Sequence, residues 1–307
     1  MKKRGFFVFM GLSVLCATAF LGGCSNLVLF DPKGPIGETE RLVIITAFAL
    51  MLIVVIPVVV MALWFPWKYR ASNTSAIYSP KWSRSARIEW IIWLIPAVIV
   101  SGLGILVWNT TYHLDPYKPI DSAVKPVSIE AVSLDWKWLF IYPAQNIAVV
   151  NELVFPANVP LSFRITSGTV MTSFFIPQLG SQIYAMAGMQ TRLHLMADAP
   201  GSYAGQNQQF SGRGFADMNF TATAMSREQF EAWIQKVRQS PDKLDRVRLA
   251  ALEKPSIRYP VTYFSSVRPN LFDDILNQYN NAMGVNPGAM NMDSTSTHEK
   301  EGASEEN

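Results

Sequence analysis

Apolar residues gather in three blocks near the N-terminus and thin out into a regular alternation afterwards. Lys2, Lys3 and Arg4 precede the first block, Phe6 to Leu21, which is too short to span a bilayer comfortably and reads as a signal peptide over residues 1–23. The second block, Leu42 to Phe65, runs for 24 residues without Asp, Glu, Lys or Arg. At ~1.5 Å per helical residue it crosses the ~30 Å hydrocarbon core. Pro57 should kink it, which membrane helices tolerate, and Trp64, Trp67 and Tyr69 mark the interface. A second span runs from about Ile88 to Trp108, with Pro96 inside. The loop from Pro66 to Arg87 holds Lys68, Arg70, Lys81, Arg84 and Arg87 and no acid, so the positive-inside rule makes it cytoplasmic. Everything after about residue 112 then lies in the periplasm. Residues 24–41, with Asp31, Pro32, Gly34, Pro35, Gly37 and Glu38, read as an exposed periplasmic linker.

From 124 to 225 the period changes to two. Val132, Leu134, Trp136, Trp138, Phe140 and Tyr142 alternate with Ser133, Asp135, Lys137, Leu139 and Ile141. Leu161, Phe163 and Ile165 repeat the pattern, as do Phe220, Ala222 and Ala224. Pro143, Pro156, Gly168, Pro177, Gly180, Pro200-Gly201 and Gly212 punctuate the strands, and such spacing indicates a β-sandwich. After Met225 the chain turns helical. Ser226 with Gln229 forms a capping box, Ser240-Pro241 opens a second helix to about Glu253, and Asn270 starts a third. An aromatic connector with Tyr259, Tyr263 and Phe264 joins them, giving a small appendage over 226–283. Residues 284–307, rich in Asn, Ser and Glu, read as a disordered tail.

Half of the 307 residues are hydrophobic and 16% are charged, which fits a membrane protein with one water-soluble part. A net charge of +3 argues against nucleic acid as partner. Both cysteines, Cys16 and Cys24, fall within the first 24 residues, so the soluble part has no disulfide, thiolate metal site or Cys nucleophile. Leu21-Gly22-Gly23-Cys24 resembles a bacterial lipobox, which implies cleavage before Cys24 and its acylation; an ordinary signal peptide or a first spanning helix is the plainer reading. More than one acyl chain anchors stably. Glu89 opens the second span. A carboxylate at a helix N-terminus gains from the helix dipole, and an ionisable group there is also a candidate for proton uptake. Gly102-Leu103-Gly104 lies within the span and reads as helix packing.

This order of parts resembles subunit II of the haem-copper terminal oxidases: two spans, a Trp-rich strand and a cupredoxin-like sandwich. In the cytochrome c oxidases of that family a His precedes the segment S-[FW]-x-[VI]-P-x-L-G, and a loop C-S-E-x-C-G-x-x-H-x-x-M completes a two-copper centre. Thiolates, imidazoles and a thioether form the soft ligand set that suits copper. Here Ser173 to Gly180 keeps the first segment, but Thr172 stands at the His position. Asn207 and Ser211 stand at the two Cys positions, Gln209 at the Glu position and Phe215 at the second His position, while Met218 survives. Amides and hydroxyls do not replace bridging thiolates, so no copper or other cofactor is expected in this chain.

Loss of the ligands with retention of the frame is similar to the quinol oxidase branch, and the Trp136–Pro143 segment, the lipobox and the aromatic appendage place it nearest the bo-type ubiquinol oxidases. The menaquinol aa-type oxidases are the close alternative. The resemblance implies a complex that oxidises ubiquinol, reduces oxygen to water and pumps protons. Its haems, catalytic copper and quinone site belong to a large partner subunit, in the inner membrane. It also implies a place for Glu89 near a proton-channel entrance, and that Trp136, an electron-entry residue in cytochrome c oxidases, serves packing here. A periplasmic copper-binding lipoprotein is the contrasting class, with Met171, Met186, Met189, Met196 and Met218 as soft candidates and His113, His194 and His298 scattered.

Overall fold

The computed structural model describes residues 27–75 and 83–282. Two compact units emerge, one built on the N-terminal helices and one on the sandwich.

In the first unit, helix α1 (Pro35–Lys68) and helix α2 (Ala86–His113) are long and apolar enough to cross a membrane. Their apolar windows are unburied within the chain, as surfaces meant for lipid or partner helices should be. Both exceed the spans read from charge alone. α1 begins at Pro35, because Gly34 supplies an extended N-cap, Pro35 needs no N–H donor in the first turn, and Glu38 meets the dipole there. Residues 32–37 are therefore no exposed linker. Lys33 N donates to Gln178 O (2.7 Å), Gly37 N to Leu179 O (3.2 Å), and Asp198 N to Lys33 O (2.8 Å). The unit thus includes residues 177–181 and 195–198 as clamps on the helix start. Gly34 has no room for a side chain, since a Cβ would fall 2.1 Å from Met196 O. At Gly102 and Gly104, in contrast, a Cβ would meet nothing within 4 Å among the described residues, so α1 is not packed against them.

In the second unit a six-stranded sheet has the order β11-β3-β2-β1-β5-β8, a three-stranded sheet the order β4-β10-β9, and β6 and β7 pair alone. The strands are β1 (Val127–Leu134), β2 (Lys137–Tyr142), β3 (Ile147–Val150), β4 (Glu152–Pro156), β5 (Leu161–Ser167), β6 (Thr172–Phe174), β7 (Ile183–Ala185), β8 (Thr191–Leu195), β9 (Gly201–Gln206), β10 (Asn219–Met225) and β11 (Thr262–Phe264). β1 pairs parallel with β5 and β4 with β10, while β1–β2 and β9–β10 are antiparallel. Between the sheets sit Trp138, Phe140, Phe163, Phe174 and Phe220; Phe174 and Phe220 stack at 5.2 Å, and Phe140 tilts against Phe220 at 5.1 Å.

The alternation over 132–142 is not one strand. It breaks at Asp135-Trp136 into the β1–β2 hairpin, with Trp136 at φ 60. All six residues of β2 are buried, polar-phase ones included, because its second face lies under the appendage. There Leu139 and Ile141 join a cluster with Leu249, Leu252, Phe264, Phe272 and Ile275.

The appendage holds α3 (Arg227–Arg238), α4 (Arg246–Leu252) and α5 (Leu271–Ala282). The Ser226–Gln229 capping box is present, and Asn270 starts α5 from φ 59. α4 starts at Asp245-Arg246 and not at Ser240-Pro241. The reason is a competing set of bonds: Ser240 Oγ donates to Tyr263 O, and Leu244 N donates to Ser266 O, holding 240–245 against the connector. The connector itself supplies β11, paired with β3, where sequence gave only aromatic spacing.

Candidate functional site

The loop after β9 covers the end of β6, and Asn207 is its hub. Asn207 is 5% exposed. Its Oδ1 accepts from Ser173 N (2.9 Å), Gln209 N (2.9 Å) and Ser173 Oγ (3.4 Å). Its Nδ2 donates to Gln209 O (2.8 Å), Ser211 Oγ (3.1 Å) and Met218 Sδ (3.4 Å). The backbone closes the ring, with Asn207 N donating to Met218 O and Gln208 N to Ser173 Oγ (2.7 Å). One planar amide thus ties both ends of the loop to β6, satisfying polar groups that burial would otherwise leave costly.

Of the substituted positions, Asn207, Ser211 and Gln209 converge, Gln209 through its backbone. Thr172 does not join them. Neighbouring side chains on a strand point to opposite faces, so Ser173 faces the loop while Thr172 Oγ1 donates to Ser133 Oγ at 2.7 Å. Ser173 was legible only as part of the retained segment. Phe215 is half-buried, its ring 5.7 Å from Phe210, which is 74% exposed at the loop tip. Met218 reaches the hub through its sulfur, while Met171 and Met189 are exposed. His194 lies 3.3 Å from Ser162 through Nε2, on another strand pair.

Trp136 seals the loop from the hairpin side. Its Nε1 donates to Ser211 O (2.9 Å), and its ring lies where a Cβ on Gly214 would come within 2.4 Å. The left-handed backbone at Trp136 is strained for a bulky residue and is held by these contacts.

The donor set does not fit copper. The lone pairs and N–H groups of Asn207 are engaged with one another's neighbours, and only Met218 is a soft ligand. Among the described residues no three His, Cys, Asp or Glu come together in a way that would hold a metal.

In the membrane hairpin, Glu89 occupies the first turn of α2. Its Oε1 is 3.4 Å from Arg84 Nε, and both groups are solvent-accessible. In the sequence Arg84 stands out only as one charge of a basic loop; its pairing with Glu89 comes from the fold at the start of α2. Cys24, the lipidation candidate, lies outside the described residues, as does the tail 284–307.

Comparison with known proteins gives a consistent picture. Residues 104–225 match the family "Cytochrome C oxidase subunit II, periplasmic domain", and residues 238–283 match "COX Aromatic Rich Motif". Cytochrome bo(3) ubiquinol oxidase subunit 2 of Pseudomonas aeruginosa is 55% identical over 91% of this chain and 84% of its own length. The same subunit of Pseudomonas putida is 50% identical over 94% of this chain and 90% of its own. Quinol oxidase subunit 2 of Bacillus cereus is 34% identical over 86% of this chain and 91% of its own.

Proposed function

The chain belongs to the family of the cytochrome bo(3) ubiquinol oxidase subunits 2, and from that membership we propose that it serves its complex as a copper-free structural subunit. The complex is a haem-copper quinol oxidase of the respiratory chain, seated in the inner membrane with this subunit's sandwich in the periplasm. It takes electrons from ubiquinol, passes them to oxygen to form water, and moves protons across the membrane. The relatives at 55% and 50% identity are named ubiquinol oxidase subunits, which favours ubiquinol as the electron donor.

The observation that carries the copper-free role is the amide hub. Where cytochrome c oxidases hold two thiolates around copper, Asn207 and Ser211 bond to each other at 3.1 Å. Electrons therefore enter at the quinone site of the large partner subunit, which also holds the haems and the catalytic copper. The work left to this chain is to keep the loop and the Trp136 hairpin rigid as a contact for that partner. Metal analysis of the purified complex tests this. Copper should match the haem-copper centre alone. Further copper that disappears in Asn207→Ala would overturn the reading.

Glu89 is proposed to collect protons at the entrance of a channel in the large subunit. An exposed carboxylate beside Arg84 at a helix start can exchange protons with water while its charge is held in place. Glu89→Gln should slow oxygen consumption and Glu89→Asp should do so less, both at unchanged haem content. Full turnover in Glu89→Gln refutes the role.

A further inference from the structure

The end of α1 carries two cations, Lys68 and Arg70, stacked on aromatic rings. Lys68 Nζ lies 4.3 Å from the centroid of the Trp64 ring and 5.7 Å from that of Tyr69. Arg70 Cζ lies 5.4 Å from the Trp67 ring. All three rings are exposed. Among the described residues neither cation has an acidic partner; the ion pair nearby in sequence joins Arg84 to Glu89. From Pro66 to Arg87 the sequence has five Lys or Arg and no Asp or Glu. The turn beyond the helix is braced, with Asn73 Nδ2 donating to Lys68 O (2.6 Å) and Ser75 N to Asn73 Oδ1 (3.2 Å).

Two physical facts set the depth and the sign of this feature. Trp and Tyr rings settle at the headgroup level of a bilayer. Cations stacked on those rings are held at the plane of the lipid phosphates, and their outward N–H groups stay free to donate. Arg70 presents a planar fork that matches phosphate oxygens, while Lys68 adds a compact charge. A pair of cations with no acid beside it, at that depth, complements an anionic lipid and not a zwitterionic one.

We propose that Lys68 and Arg70, framed by Trp64, Trp67 and Tyr69, bind the headgroup of an anionic phospholipid at the membrane face where α1 ends. The site shares no residue with the amide hub or with Glu89, and neither of those roles depends on it.

The test uses the intact purified oxidase in bilayers of phosphatidylglycerol and phosphatidylcholine, with native mass spectrometry counting retained lipids. Wild type should keep at least one phosphatidylglycerol more than Lys68→Gln/Arg70→Gln. Apparent affinity should fall about fivefold per cation removed, since each is worth roughly 1 kcal/mol near a charged surface. The exchange Lys68→Arg/Arg70→Lys should keep the lipid, separating charge from any assembly defect. Millimolar inorganic phosphate should leave the lipid bound. Equal phosphatidylglycerol retention in wild type and the Gln pair overturns the proposal. So does lipid loss in the charge-conserving pair as large as in the Gln pair, or displacement by phosphate alone, which would mark a soluble-anion site.

Discussion

At Asn207, one side chain ties the loop after β9 to β6, through hydrogen bonds to Ser173, Gln209, Ser211 and Met218. Its cost of burial is offset because both of its polar atoms are engaged. Asn207→Ala removes the acceptor for Ser173 N and Gln209 N, and should destabilise by about 1–3 kcal/mol. A lowered thermal midpoint of the purified protein, with loop 207–218 becoming sensitive to protease, would register the change. Gly205 is constrained in a different way: the Phe220 ring occupies the space a side chain needs, 2.1 Å from a built Cβ. Gly205→Ala should cost about 1–3 kcal/mol through overpacking, and Phe220→Leu in the same chain should recover part of it. Equal losses in the single and double variants would show that the ring is not the obstacle. Positions 207, 209, 211 and 215 were legible as a set from the resemblance alone. The hub was not, because hydrogen-bond geometry decides which of several polar residues becomes the centre, and Ser173 rather than Thr172 faces it.

Among the elements, the appendage shows how a sandwich face is covered. Lys137 sits on β2 at 0% exposure, its Nζ donating to Leu252 O (2.8 Å) at the end of α4 and to Lys254 O (2.9 Å), with the Tyr259 ring 5.5 Å away. The negative end of a helix dipole favours the ammonium. Burial outweighs this and pushes Lys137 down to about 8, against the pull of Asp135 upward. The folded value lies below the ordinary 10.5, so the unfolded chain binds more protons between pH 8 and 10.5. Stability from this group should rise with pH across that window, and the rise should vanish in Lys137→Met when unfolding is followed at pH 8 and 10. A second tie is Arg164 on β5, which donates to Glu130 (2.8 Å), Asp273 of α5 (2.6 Å) and Gln190 (3.0 Å), over the Phe272 ring. Arg164→Ala should cost about 1–3 kcal/mol, charged hydrogen bonds being the stronger kind. Faster amide exchange confined to 271–282 would identify α5 as the element released. Lysine in an alternating strand reads as the solvent face. Only the covering helices, distant in sequence, reverse that.

For the whole molecule, topology and membrane attachment are matters of the N-terminal third. We propose that Cys24 is the acylated N-terminus of the mature chain, since a basic start, an apolar core and small residues precede it. Cys24→Ser should abolish incorporation of labelled fatty acid while the two spans keep the protein in the membrane fraction; undiminished label refutes the assignment. The strap at 31–37 matters at the same scale. Gly34→Val would drive a side chain into Met196 O and should lower the yield of assembled oxidase, measured as haem per membrane protein. Unchanged assembly would mean the strap yields without consequence.

Local pattern was enough for whatever depends on neighbours in the chain. Apolar length gave the two spans, since solvation by lipid acts on each residue in turn; period-two alternation gave the sandwich; Ser226 with Gln229 gave a helix start that two residues of one turn can satisfy alone. The missing Cys and His ligands gave the branch of the family, because ligand chemistry belongs to residue type. Tertiary structure decided the rest. It alone placed Lys137 under α4, added Thr262–Phe264 as a sixth strand beside β3, delayed α4 to Arg246, and fastened residues 31–37 to loops near 178 and 198. Each of these rests on hydrogen bonds between segments far apart in sequence, whose partners exist only once the sheets have formed.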